Sequence, residues 1–367
     1  VAFAGGIQNT HQKFSVPAFT PVIFNLCLIV SAILIAPMYD MPIYVLAWGV
    51  LLAGILQLLI QISPLLSINR LPVPKLDIKN PGLRKFFTLI LPAILAGGVI
   101  QINLLIDTIF ASLLETGSPT WLYVSDRLIQ FPMGIFAIAI GTILLPILSN
   151  IDIEKEKNDF IKNIKKGQKF VLFIGIPSLI GLFFCAEDLI STIFYRGEFT
   201  ELDVFKSSYS LMAFSIGLPF FMLMKVLTPA FFARKDTKTP MYVAFISLIL
   251  NVFFNYLLAF VLGFGHVGLA IGSSIAALIS VLILETILYK QGFIKITNIF
   301  NRFNFMILIS SLFLIVFLNF YSTKTNFIEF NQIERLFYLS IEIVVSIFIY
   351  FSIARIINGK SLRTLFN

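Results

Sequence analysis

The chain has 367 residues, is 58% hydrophobic and 13% charged, and carries a formal net charge of +8 with a mean hydropathy of +0.94. A soluble protein is about half apolar and about a quarter charged, so this composition excludes an ordinary soluble domain. The Lys and Arg residues sit between apolar blocks and form no single patch, which argues against a nucleic-acid partner and for membrane topology.

Apolar blocks of about 20 residues each predict membrane-spanning helices. Ten are expected, at 17–37, 43–63, 86–112, 121–148, 169–187, 208–232, 241–262, 267–288, 304–320 and 336–354. The fold class is therefore all-α, a polytopic transmembrane helical bundle. The chain opens on Val1 and enters mid-element at "VAFAGGIQNTHQKF", so residues 1–13 read as the tail of an earlier helix and the chain as a truncated record. Pro92, Pro132 and Pro219 fall inside spans, where neighbouring helices re-satisfy the freed backbone groups.

Taken loop by loop, 21 of the 27 Lys and Arg residues alternate onto one side, and only Arg196, Lys206, Lys324 and Arg335 fall on the other. By the positive-inside rule this supports the ten spans and makes the C-terminus cytoplasmic. The stretch "IDIEKEKNDFIKNIKKGQKF" (151–170) reads as a charged connector, either an interfacial helix on the anionic inner leaflet or a solvated loop helix.

Arg127 and Lys225 are the two cations left inside spans. In "LYVSDRLIQFPMG" (122–134), Asp126 and Arg127 are adjacent, so on a helix they point about 100° apart and cannot simply neutralise each other. At least one needs a partner elsewhere. Arginine's planar fork suits phosphate, while a structural pair anchoring the helix to headgroups is the plainer alternative. Lys225 either snorkels towards the inner end or faces a cavity.

A second polar cluster runs through "GGVIQINLLIDTIFAS" (97–112), where Asn103 and Asp107 share a helix face. Asn251 and Asn255 stand one turn apart in "LILNVFFNYLL", and "GLAIGSSIAAL" offers Ser273 and Ser274. A carboxylate with amide and hydroxyl oxygens suits a hard monovalent cation or a proton relay, while interhelical hydrogen bonding that glues the bundle is the simpler and favoured reading of the residues alone. Glu342 lies deep in its span with no evident partner in its own helix. Cys27 and Cys185 have no CxxC or Cys/His neighbours, which leaves disulfide and zinc readings poor. His11 and His266 stand alone. HExxH, GxSxG and P-loop motifs are absent, so a binding or translocating function is favoured over an enzyme.

The run "NLLIDTIFASLLETGSPTWLYVSDRLIQFPMGIFAIAIGTILLPILS" (103–149) closely resembles the signature region of the MurJ/MviN family, the lipid II flippases of bacterial cell-wall synthesis. Further matches are "GIQNTHQKFSVPAFTPVIFN" (6–25), "YRGEFTELDV" (195–204) and "KVLTPAFFARKDTKTP" (225–240). The resemblance implies a fourteen-helix, two-lobed exporter of the polysaccharide and multidrug superfamily, working by alternating access in the bacterial inner membrane. The ten spans would be the fifth to fourteenth. Residues 1–150 would end the N-lobe, 151–300 would hold C-lobe helices with the connector 151–168, and 301–367 the last two spans, lining a lipid-tail groove.

By the same resemblance Arg127 would grip the pyrophosphate of lipid II, with Asp126 positioning it and Gln130 beside the substrate; Lys225, if it faces the cavity, is a further substrate-binding candidate. Gln130 stands where several relatives have glutamate. Asp107, Asn251, Asn255 and Ser273 would form a sodium site. No cofactor is expected beyond sodium or membrane-potential coupling. The expected partners are lipid II, membrane lipids and cell-wall synthesis proteins, with no nucleic acid. The alternatives are an exporter of other polyprenyl-linked sugars or drugs, a membrane-embedded glycan transferase, or a regulatory pseudo-transporter.

Overall fold

A computed structural model describes residues 1–68 apart from 12 and 14, 98–294 apart from 100, and 301–366 apart from 323, 324 and 326. Among them, nine helices are long and apolar enough to cross a membrane, and they match nine of the ten expected spans. The remaining span, 86–112, lies outside the described residues up to position 97, and its described end is helical. The chain divides into two compact units, Val1–Phe87 and Thr88–Asn367.

The first unit holds α1 (Ala2–Thr10), α2 (Ser15–Val30) and α3 (Pro42–Ser67). Beyond α2 the helix widens into a π-turn at Ser31–Ile35. Gly49 of α3 lies against Ser31, where a Cβ would come within 2.9 Å of the serine's own Cβ. Gln57 Nε2 donates to the Thr20 carbonyl at 2.8 Å, adding a polar link between the two helices.

The second unit holds α4 (101–112), α5 (Ser118–Pro132), α6 (Ala139–Ser149), α7 (Lys157–Phe184), α8 (Ala186–Phe194), α9 (Glu201–Phe232), α10 (Lys238–Tyr256), α11 (Gly265–Lys290), α12 (Arg302–Ser322) and α13 (Gln332–Phe366). A π-turn at Met133–Ile138 joins α5 to α6 directly after Pro132, whose missing N–H already breaks the ladder there. The unit is organised on α9, which packs against α5, α6, α7, α8 and α11. Its buried face is small, with Ser207, Ser210, Ala213, Ser215 and Gly217, and so lets neighbouring backbones approach closely.

Within the connector at 151–168, the residues from Lys157 onward belong to the unbroken helix α7, which begins ahead of the span expected at 169. Phe160 and Ile164 are fully buried in the core, and Gly167 gives room to Val226, whose Cγ1 lies 3.0 Å from where a Cβ would stand. Packing of that face joins the lysine-rich segment to the apolar span as one helix. α9 likewise begins at Glu201, ahead of its apolar run, because Thr200 and Asp203 form a capping box.

His266 is not isolated. Its Nδ1 lies 2.7 Å from Ser210 Oγ and its ring packs edge-on against Trp121 at 4.9 Å, while Trp121 Nε1 donates to Asp203 Oδ1 at 2.6 Å. Lys206 pairs with Glu115 at 2.8 Å beside them. These contacts tie the α4–α5 turn to α9 and α11. Gly117 makes that turn at φ 103°, where a Cβ would run into the Trp121 ring.

Candidate functional site

Helices α4, α5, α9 and α11, with the turn that follows α5, line an open cavity of about 790 Å³. Its polar wall is Asn103, Asp107, Asp126, Gln130 and Ser273, and the rest is mainly apolar, including Tyr123, Phe214 and Phe221. Helical spacing explains the α5 contribution: Tyr123, Asp126 and Gln130 lie on one stripe, while Val124, Ser125 and Ile129 are buried. Ser125 Oγ donates to the Ser207 carbonyl at 2.7 Å, which fixes the rotation of α5 on α9.

The divergence expected for Asp126 and Arg127 is present. Asp126 accepts a hydrogen bond from Gln130 Nε2 on the cavity wall. Arg127 is exposed, with Cζ 4.6 Å from the centre of the Tyr123 ring, and makes no ion pair among the described residues. The guanidinium therefore rests on a residue that lines the cavity without lining it itself. Lys225 is also exposed and off the wall. The structure thus brings Asp126 and Gln130 together and leaves Arg127 and Lys225 apart from them.

The second expected group assembles across three helices. Asn255 Nδ2 donates to Asp107 Oδ1 at 2.7 Å and to Asn251 Oδ1 at 2.9 Å. Asn251 Nδ2 donates to Ser273 Oγ at 3.0 Å, and Asn103 Nδ2 to Asp107 Oδ2 at 3.0 Å. Asp107 and Asp126 both line this side, so the cavity gathers two carboxyl groups on one wall. Gln101 is exposed and takes no part, and Ser274 donates to the Ala213 and Ala270 carbonyls at 3.0 Å.

A monovalent hard cation fits this donor set. Asn255 is fully buried, yet its Oδ1 accepts nothing from the described residues. Its amide nitrogen bridges two acceptor oxygens, and turning the amide over presents a third oxygen in place of that donor. Asp107, Asn251, Asn255 and Ser273 would then offer one negative charge and neutral oxygens. No group of three His, Cys, Asp or Glu suited to a metal occurs among the described residues, and both cysteines are free.

What sequence reasoning missed is the pair of glycines that permits this approach. Gly268 and Gly272 form a GxxxG step in "GLAIG" that lets α11 close on α10. A Cβ on Gly268 would stand 2.7 Å from the Ala259 nitrogen, and one on Gly272 would strike Asn255 Oδ1. Gly272→Ala is expected to cost about 1–3 kcal/mol of stability, as overpacking does. A fall in melting temperature, set against a neutral Gly181→Ala control with open space at its Cβ, checks this.

The lipid II flippase MurJ family matches residues 1–356. A Vibrio cholerae protein named probable lipid II flippase MurJ is 42% identical over 298 residues, covering 81% of this chain and 56% of that protein. The lipid II flippase MurJ of Burkholderia cenocepacia is 35% identical over 293 residues, covering 79% of this chain and 56% of its own. A solved lipid II flippase MurJ in an inward closed conformation aligns with a TM-score of 0.78 at 27% identity, over 98% of this chain and 71% of that one. The chain therefore spans 56% of the length of either of these two relatives. With its row of membrane-length helices it is a multi-pass membrane protein, and it belongs to the lipid II flippase MurJ family.

Proposed function

We propose that the protein containing this chain is a lipid II flippase, which moves the undecaprenyl-pyrophosphate-linked peptidoglycan precursor from the inner to the outer leaflet without making or breaking a bond. One observation carries the reading: the family match at 1–356 includes every residue of the polar-walled cavity. Asp126 and Gln130 supply the wall, and Arg127, seated on Tyr123, supplies the fork for the diphosphate. Lys225 lies outside the wall and acts, in this reading, as a second cation on the substrate's path.

A sodium ion at Asp107, Asn251, Asn255 and Ser273 would place one positive charge beside the two carboxyl groups of the wall and bind α4 to α10 and α11. The 21-to-4 split of basic residues supports the bacterial inner membrane with a cytoplasmic C-terminus. Residues 1–150 then belong to the end of the N-lobe and 151–300 to the C-lobe. Moving a polyanion outward across an inside-negative membrane is electrically favourable.

Native mass spectrometry of the full-length protein tests the substrate. Lipid II is expected to remain bound at energies that strip an unrelated polyprenyl glycolipid. Equal retention of the two would replace this reading with a general polyprenyl-sugar exporter.

A further inference from the structure

Where α7 passes into α8, the bundle buries an acid pair that the transport reading does not use. Glu342 of α13 is fully buried, and Asp188, in the first turn of α8, is only 7% exposed. The Cys185 thiol donates to Glu342 Oε1 at 3.1 Å. The two carboxyl groups lie within hydrogen-bonding reach of each other. Yet Asp188 Oδ2 and Glu342 Oε2 receive no donor from the described residues.

Two ionised carboxylates cannot donate to one another, and in a buried place they repel. The described residues of the surrounding elements offer no cation to relieve them. Arg335 of α13 is buried nearby, but its guanidinium is directed to the carbonyls of Phe327 and Ile328 at 2.7 and 2.8 Å, with longer contacts to Ser191 and Tyr195. From α12, the Tyr321 hydroxyl donates to the Tyr338 carbonyl of α13 at 3.0 Å. α8 adds only another acid, Glu187, and α7 ends in Cys185, whose thiol is held neutral by burial and by the Glu342 charge. Burial, reinforced by Glu342 and Glu187, raises the Asp188 carboxyl to about 8.

We propose that Asp188 and Glu342 form a one-proton site, in which a shared proton fastens α8 to α13 beside the Cys185 thiol. The ligand is a proton and not a metal ion, since the two carboxyls and the thiol do not form a metal-holding group. The proton turns an oxygen–oxygen repulsion into a charge-assisted hydrogen bond and satisfies both orphaned oxygens. The folded chain keeps this proton at pH values where an ordinary carboxyl has lost it. Stability is therefore greatest in acid and falls as pH rises from about 4 towards about 8.

The test is the pH profile of thermal unfolding of the intact purified protein, wild type against Glu342→Gln. Glutamine keeps the shape and carries a permanent N–H donor, so its pair needs no proton. The wild-type unfolding constant should rise by up to about tenfold per pH unit more than the variant's within that window. Asp188→Asn should flatten the profile in the same way. Infrared spectra give a second readout: a protonated-carboxyl stretch at neutral pH that vanishes on alkalinisation and is missing from both variants. Parallel pH profiles for all three proteins would overturn the site. If neither variant folds, the wild-type band decides, and its absence at neutral pH also overturns the site.

Discussion

Asp107→Asn in the full-length protein is expected to abolish most of the thermal stabilisation conferred by sodium over potassium or choline. The substitution keeps the side chain's shape, so the Asn255 and Asn103 contacts can re-form with an amide turned over and the fold should persist. It removes the only formal charge in the group of Asp107, Asn251, Asn255 and Ser273, and neutral oxygens alone hold a hard cation weakly. A ligand present at a hundredfold its Kd adds about 2.7 kcal/mol to folding stability, and most of that would disappear. Melting temperatures measured across a sodium titration give the answer. A variant that responds to sodium as the wild type does would reduce the network to interhelical hydrogen bonding.

Arg127→Ala is expected to eliminate rescue of cells depleted of their own flippase, at normal expression. Hydrogen bonds to charged groups contribute about 1.5–3 kcal/mol each, so losing a two-pronged diphosphate contact weakens binding by about a hundredfold or more. Arg127→Lys keeps the charge without the fork and should fall between. Tyr123→Leu removes only the aromatic seat, about 0.5–1 kcal/mol for an exposed cation–π contact, and should reduce rescue without ending it. Normal growth with the alanine variant would remove Arg127 from the mechanism.

The bundle was legible because each span is a block of lipid-compatible residues and the basic loops alternate. Helix ends were less so. Lys157 to Lys169 read as an interfacial or a solvated helix separate from the next span, but Phe160, Ile164 and Gly167 form a buried face that makes it one helix with that span. The four-residue spacings of Asn103 with Asp107 and of Asn251 with Asn255 placed each pair on one face. Their meeting across helices depends on the glycines of α11, whose spacing carries no record of which helix closes on them. The 100° divergence of Asp126 and Arg127 was readable, but which of the two reaches the cavity was not. That follows from the seating of Ser125 on α9. Glu342 had no local signal at all, because its thiol partner lies 157 positions away.

The wide turn at Met133–Ile138 separates two differently held halves of one span. Below it, Gly141 is keyed against the Lys225 carbonyl, where any Cβ would come within 2.8 Å. Above it, Asp126 and Gln130 belong to the cavity wall. A turn that holds one residue more than its neighbours offsets the helix faces on its two sides. The two halves of one span therefore keep separate rotational settings with no loop between them, the upper held by Ser125 on α9 and the lower by Gly141 against Lys225.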